Sequence, residues 1–135
     1  MIRTFMRAKI HRATVTDANV DYIGSITLDP RLMRAAGLLP LEQVDVLNVS
    51  NGSRLTTYCI EGREGSGEVC LNGAAALLCS KGDLVLVVAF AQLQEHELGR
   101  FEALTVFVTA KNKVRKVTRQ RAALTGKPHP RRPPQ

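Results

Sequence analysis

Along much of this chain apolar and polar positions alternate with a period near two, as strands with one buried and one solvated face require. Ser53–Glu61 (SRLTTYCIE) and Ala103–Thr109 (ALTVFVT) are rich in β-branched and aromatic residues, whose stiff side chains suit a pleated surface. Gln43–Val49 (QVDVLNV) sets Val44 and Val46 against polar neighbours and is followed by Asn51-Gly52. That dipeptide is a strong hairpin signal, because both residues tolerate positive φ. Leu84–Phe90 is apolar almost throughout, which predicts a strand covered on both faces. One short helix is marked at both ends: Asp29 can cap it, Pro30 suits its first turn, and Gly37 ends the run RLMRAA. The pattern predicts a small, mainly β barrel with one or two short helices, and no repeat of fixed period is evident.

A length of 135 residues holds one domain. Hydrophobic residues make up 44% and charged residues 23%, a globular balance. The longest apolar stretch, Leu84–Ala91, has the length of a strand and not of a membrane span. The opening MIRTFMRAKIHR scatters charge through its apolar residues and has no signal-peptide core. A soluble cytoplasmic protein without membrane contact is the expectation.

The net charge of +7 changes meaning once it is located. Residues 1–110 hold 10 Lys/Arg and 12 Asp/Glu, whereas residues 111–135 hold nine basic residues and no acid. Pro128, Pro130, Pro133 and Pro134 also fall in that last segment. The composition therefore divides the chain into a domain over 1–110 and a basic, proline-rich tail over 111–135, expected to be disordered. A basic tail on a mildly acidic body is a weak signal for nucleic acid and reads more simply as a solvated arm.

Cys59, Cys70 and Cys79 are odd in number, show no CxxC spacing and lie in apolar segments, as buried reduced thiols do. His11, His96 and His129 are scattered, so no metal-ligand spacing appears and no metal is expected.

Tyr22-Ile23-Gly24-Ser25-Ile26-Thr27 carries the most specific chemistry. A Gly-Ser pair between two strand-like runs is ordinarily a turn. Glycine also permits a strained conformation in which the serine hydroxyl attacks the Gly24 carbonyl. The amide would become an ester, β-elimination would cut the chain, and Ser25 would end as an N-terminal pyruvoyl ketone. Such a ketone forms a Schiff base with an amine and serves as an electron sink, as pyridoxal phosphate does.

Lys9-Ile10-His11-Arg12-Ala13-Thr14-Val15-Thr16, followed by Tyr22-x-Gly24-Ser25, resembles the N-terminal signature of the aspartate 1-decarboxylase family. Asn51-Gly52-Ser53-Arg54-Leu55-x-Thr57-Tyr58 and Asn72-Gly73-Ala74-Ala75-Ala76, with Gly82-Asp83 beyond, resemble its other motifs in the same order, over Met1 to about Thr109. The resemblance implies a double-psi β-barrel, cleavage between Gly24 and Ser25, and a homotetramer with sites between protomers. It implies decarboxylation of L-aspartate to β-alanine and carbon dioxide for pantothenate and coenzyme A synthesis. The cofactor implied is the pyruvoyl group derived from Ser25, with no pyridoxal phosphate. By the same resemblance Thr57 polarises the carbonyl under attack and Tyr58 donates a proton to the carbanion left by decarboxylation. Lys9 and Arg54 bind substrate carboxylate, Thr57 also faces the substrate, and Asn72, Gly73, Ala74 and Ala75 line the pocket. A guanidinium that grips a carboxylate in bidentate fashion suits a substrate with two of them. His11 receives only a supporting role. Leu77 stands where relatives often carry histidine, and Leu47 where an aromatic can occur.

Taken singly, each of these residues has a plainer reading: Arg54 a solvated edge charge, Tyr58 a core residue with its hydroxyl at the rim, Asn72-Gly73 a turn. Their joint occurrence favours the enzyme. The competing class is a small basic-tailed β-barrel that binds nucleic acid. An acidic body and only 4% aromatic residues disfavour it, since base stacking needs an aromatic platform.

Overall fold

The computed structural model describes residues 1–124. Nine strands form one mixed sheet: β1 (Ile2–Thr14), β2 (Asp17–Asn19), β3 (Ser25–Leu28), β4 (Gln43–Asn48), β5 (Arg54–Glu61), β6 (Val69–Asn72), β7 (Leu84–Gln94), β8 (Glu102–Val108) and β9 (Val114–Arg121). Their spatial order is β2-β6-β3-β5-β4-β7-β1-β8-β9. The pairs β1–β8, β2–β6 and β3–β5 are parallel and the remainder antiparallel. The fold is thus mainly β, with one short helix, α1 (Pro30–Ala36), and 3-10 turns at Gly73–Leu77 and Glu95–Glu97.

Each expected strand is present. In β4 the burial follows the sequence pattern, with Val44 and Val46 buried and Gln43 exposed. Strand β7 lies between β1 and β4, but it is not covered on both faces as its apolar run predicts: Val85, Val87 and Ala89 are buried, Leu84 and Leu86 half-buried, and Phe90 exposed. It continues to Gln94, four residues past Phe90, where it pairs the exposed start of β1. Asn51-Gly52 does turn β4 into β5, but only Gly52 takes a positive φ, of 79°. Asn51 instead uses its side chain, accepting from the Ser53 amide at 2.9 Å and donating to the Leu78 carbonyl at 3.0 Å.

The core is built from Ile10, Ile26, Leu28, Leu32, Val44, Val46, Leu71, Val85, Val87 and Val106, all within 1% of full burial. Each such side chain contributes about 1.5–3 kcal/mol by leaving water. Four of these (Ile26, Leu28, Leu32 and Leu71) come from β3, β6 and α1. The short elements are therefore anchored by burial and not by length.

Two polar side chains hold the loops around this core. Asp29 is 1% exposed. Its Oδ1 accepts from the amides of Arg31 (2.9 Å) and Gly65 (3.1 Å), and its Oδ2 from Gly67 (2.8 Å). The cap expected at α1 thus also clamps the loop before β6. Gly37 closes the helix in the left-handed conformation, φ 69°. Asn112, 2% exposed, sits in the β8–β9 turn with φ 60°. Its Nδ2 donates to the carbonyls of Thr14 and Gly67, both at 2.8 Å, and its Oδ1 accepts from the Thr14 amide at 2.8 Å.

That clamp corrects the expected tail. Backbone order does not stop at Lys111, because Asn112 ties the turn to β1 and β9 then pairs with β8 from Glu102↔Arg121 to Val108↔Val114. All eight residues of β9 are exposed, which suits its basic composition. Composition reports solvation of side chains, and an edge strand can be fully solvated while its backbone is paired. The prolines from Pro128 to Pro134 lie outside the described residues. No helix among the described residues is long and apolar enough to cross a membrane.

Burial alone pushes the Asp29 carboxyl up. The amides of Arg31, Gly67 and Gly65 and the charge of Lys113 outweigh it, so the net position is below the ordinary carboxylate range. A group depressed in the folded state stabilises above its unfolded value, about 3.9, and loses that contribution as pH falls through the folded value. Asp29→Asn, which sets an amide N–H against one of three backbone donors, is expected to be less stable than the parent at pH 7. In urea unfolding at fixed protein concentration the gap should narrow steadily below about pH 4. A gap that stays constant from pH 7 to pH 3 would show that the charge of Asp29 is immaterial.

Candidate active site

Antiparallel pairing of β3 with β6 puts Ser25 opposite Asn72 and Thr27 opposite Cys70. Side chains on strands repeat every two residues, so these four share a face, and all are buried. Asn72 Nδ2 donates to Ser25 Oγ at 3.0 Å and to Thr27 Oγ1 at 2.8 Å. The Ser25 hydroxyl has the Ile23 carbonyl at 3.4 Å as its own acceptor. A serine only 1% exposed, with its oxygen held by an amide and its peptide partner a glycine, is not the solvated turn that Gly-Ser ordinarily makes.

Directly after Asn72 the chain turns through Gly73 at φ 65°. A Cβ there would stand 2.6 Å from Gly24 Cα, 2.8 Å from Gly24 N and 3.0 Å from the Tyr22 carbonyl oxygen. No side chain fits in that space. The two glycines of the separate motifs are therefore packed backbone to backbone, a contact that requires glycine at position 73.

A pocket of about 370 Å³ opens beside this contact, lined by Gly24, Leu55, Thr56, Thr57, Tyr58, Asn72, Ala74, Ala75 and Leu78. It brings together six of the residues singled out in the sequence. Thr57 and Tyr58 are half-buried on β5, and with Leu41, Gln43 and Thr56 they also line a shallower adjoining recess. Ala74 and Ala75 belong to the 3-10 turn, so small side chains keep the wall low.

Lys9 and Arg54 stand apart from this pocket. Lys9 on β1 pairs with Val88, which pairs with Asp45, which pairs with Thr56. Three interstrand steps of about 4.8 Å separate Lys9 from Thr56, or roughly 14 Å along the sheet. Arg54 is exposed at the start of β5, opposite Leu47, which faces Leu86 in turn. The registers put Lys9, Arg54 and Leu47 on one face of the sheet, and neither cation is among the residues that line the pocket, although Arg54 lies two residues along the strand from Thr56.

His11 belongs to another recess, of about 420 Å³, with Arg12, Phe107 and Arg115 among its walls. Its ring meets Phe107 edge-on at 5.4 Å, and its Nδ1 is buried without a hydrogen-bond partner among the described residues. Burial first, then the charges of Lys9 and Arg12, lower its pKa. Cys59, Cys70 and Cys79 are buried and free, and burial raises each thiol above its usual range.

Thr27 and Cys70 were not legible as site residues. Cys70 carries no motif and Thr27 closes the run around Gly24-Ser25 without a role of its own; the β3–β6 register brings both to Ser25 and Asn72. Leu55, Thr56 and Leu78 are likewise pocket walls that pattern alone reads as strand or turn.

The fold and this cluster define a small, mainly β protein that buries a serine hydroxyl against a glycine peptide, beside a pocket with a tyrosine and a threonine. The pattern of the family described as aspartate decarboxylase matches residues 1–115. Curated relatives agree over nearly their whole length. Aspartate 1-decarboxylase of Carboxydothermus hydrogenoformans is 51% identical over 87% of this chain and 92% of its own. The protein of that name from Thermoanaerobacter pseudethanolicus is 50% identical over 84% and 97%. Aspartate 1-decarboxylase 2 of Gloeobacter violaceus is 53% identical over 88% and 95%. The chain belongs to the aspartate decarboxylase family.

The close glycine contact generates its own test. Gly73→Ala must move Gly24 or Gly73 itself and also adopt a disfavoured φ, which together cost about 1–3 kcal/mol. With both chains carrying Ser25→Ala so that neither can cleave, a lowered thermal midpoint with loss of the native Gly24 and Asn72 amide resonances is the expected result. A Gly73→Ala chain with parent stability and parent resonances would mean that the approach is looser than described.

Proposed function

We propose that this chain is a self-processing, pyruvoyl-dependent aspartate 1-decarboxylase that converts L-aspartate to β-alanine and carbon dioxide and so supplies pantothenate and coenzyme A synthesis. The observation that carries the reading is the buried Ser25 hydroxyl held by Asn72 beside the Gly24–Gly73 contact. Family membership supports the activity and its double-psi β-barrel, and it displaces the alternative of a nucleic-acid-binding module. A cytoplasmic location is part of the same reading.

The processing step balances within the chain and water. Ser25 Oγ bonds to the Gly24 carbonyl carbon, its proton passes to the departing amide nitrogen, and the peptide becomes an ester. Loss of the Ser25 α-proton with departure of the Gly24 carboxylate cuts the chain into residues 1–24 and 25–135. The dehydroalanine left at the new terminus takes up water and releases ammonia. Thr57, on the pocket wall with Gly24, is placed in this reading to donate to the carbonyl oxygen under attack.

The ketone so formed would serve as the electron sink for the substrate amine, the chemistry this enzyme obtains from its own chain. Around it, Asn72 and the amides of Gly73, Ala74 and Ala75 would orient the substrate, and Thr57 would face it. Tyr58 holds a phenolic proton for the carbon that carbon dioxide vacates. Lys9 and Arg54 would take the carboxylates from a neighbouring copy. Two facts support a homotetramer with shared sites: these cations lie off the pocket of their own chain, and large apolar side chains beside the site are exposed. Ile23 is 78% and Leu77 73% exposed, apolar side chains that a neighbouring copy would cover.

Intact mass after denaturation tests processing directly. Ser25→Ala is expected to remain a single full-length, folded chain without aspartate turnover, because neither ester nor ketone can form. Turnover by that variant would overturn the pyruvoyl assignment.

The two chemistries should also separate by residue. Tyr58→Phe keeps the ring and is expected to process to two fragments and bind aspartate, with turnover reduced about a hundredfold or more, the scale of a lost general acid. Thr57→Val should show slow cleavage as its first defect. Equal turnover by parent and Tyr58→Phe would move the proton source elsewhere.

A further inference from the structure

We infer that Cys70 is a positioning residue for cleavage at Gly24–Ser25: its thiol donates to Asn72 Oδ1 and so decides which end of that amide faces Ser25. The inference rests on the reading of Gly24–Ser25 as a cleavage site and adds a residue to it.

The geometry is compact. Cys70 Sγ lies 3.3 Å from Asn72 Oδ1, whereas the other acceptor near it, the Leu71 carbonyl, is 3.9 Å away. Cys70 is 8% exposed, Thr27 9%, Asn72 3% and Ser25 1%, so water is largely excluded from the choice among partners. On the opposite side of the amide, Nδ2 reaches Ser25 Oγ and Thr27 Oγ1.

Those two hydroxyls cannot set the amide's orientation. A hydroxyl both donates and accepts, so Ser25 and Thr27 can receive hydrogens from the NH₂ group or give their own to the carbonyl oxygen. The thiol differs, because it is a poor acceptor and has a hydrogen to give. With the amide reversed, an NH₂ group would face sulfur and its buried hydrogen would lack a good partner. Burial first, and then the charges of Asp17 and Glu68, raise the Cys70 pKa, so the hydrogen is present at neutral pH.

The consequence falls on Ser25. With Nδ2 donating to Oγ, the serine hydrogen has the Ile23 carbonyl as its acceptor. One lone pair of Oγ is left uncommitted for the Gly24 carbonyl carbon. In the reversed amide Ser25 would give its hydrogen to Asn72, and two arrangements of the nucleophile would compete. The thiol removes the competition.

Three variants at this position separate donation from packing. Cys70→Ser keeps a donor; Cys70→Ala and Cys70→Val remove it with a smaller and a larger side chain. Cleavage of freshly expressed full-length chain is followed by intact mass, with circular dichroism as the check on folding. Cys70→Ser is expected to cleave within a fewfold of the parent, and both Cys70→Ala and Cys70→Val about tenfold more slowly, the scale of one lost buried hydrogen bond. Parent-like cleavage by the folded Ala or Val variant overturns the inference. So does a Ser variant as slow as Ala, since packing and not donation would then matter. The Asn72 side-chain amide resonances of uncleaved chain give a readout independent of cleavage. One sharp pair is expected in the parent, and two forms or broadening both in Cys70→Ser, whose hydroxyl can accept as well as donate, and in the two chains without a donor; identical spectra in all four chains likewise overturn it. A parent that never cleaves overturns the cleavage reading itself and leaves the amide spectra to judge Cys70.

Discussion

The approach of Gly73 to Gly24 is the constraint from which the rest of the site follows. Two backbones meet where even one methyl group would stand 2.6 Å from a Cα atom. That contact can persist only if both strands leading to it are fixed, and they are. β3 and β6 pair over Ser25–Leu28 and Val69–Asn72, with Ile26, Leu28, Val69 and Leu71 fully buried on the core side. The opposite face then has nowhere to go except inward on itself. It gathers Ser25, Thr27, Cys70 and Asn72 into a small polar cluster in which every hydroxyl and amide finds a partner, as burial demands.

Such a cluster is expensive to assemble and sits on strands of only four residues each. Their stability comes from what surrounds them. Asp29 grips the loop before β6 through the amides of Gly65 and Gly67 while capping α1 through that of Arg31, and Asn112 joins that same loop to β1. The two side chains meet at one residue: Gly67 donates its N–H to Asp29, and its carbonyl accepts from Asn112 Nδ2. A positive φ of 70° at Gly67 and the Lys111 carbonyl packed against its Cα leave no room for a side chain. The polar clamps therefore hold the frame, and the frame holds the serine.

Charge is distributed to match. Arg115, Lys116, Arg119 and Arg121 lie on the exposed edge strand β9, where they cost little and keep that edge from pairing with another sheet. Lys9 and Arg54, by contrast, occupy a face of the sheet whose registers are set by β4, β5 and β7. Their separation from the Gly24 pocket and the exposed apolar residues around that pocket have one common explanation in the proposed assembly: each chain offers cations to a site it does not itself complete.

Local features of this protein are legible in the sequence alone: the helix from Asp29 to Gly37, the alternation in β4 and β5, the turn at Asn51-Gly52, and the three motifs whose order marks the family. They were legible because caps, turns and period-two burial depend on neighbours within a few residues. The strand β9 was not, since its composition records solvation while its existence depends on pairing with β8 and on Asn112 reaching β1, about a hundred residues earlier in the chain. Cys70 and Thr27 were not legible either. Each is an unremarkable strand residue until the β3–β6 register sets it opposite or beside Ser25 and Asn72. Register is a relation between distant segments, settled by which faces can be buried together, and so the tertiary structure alone decided which side chains surround the serine.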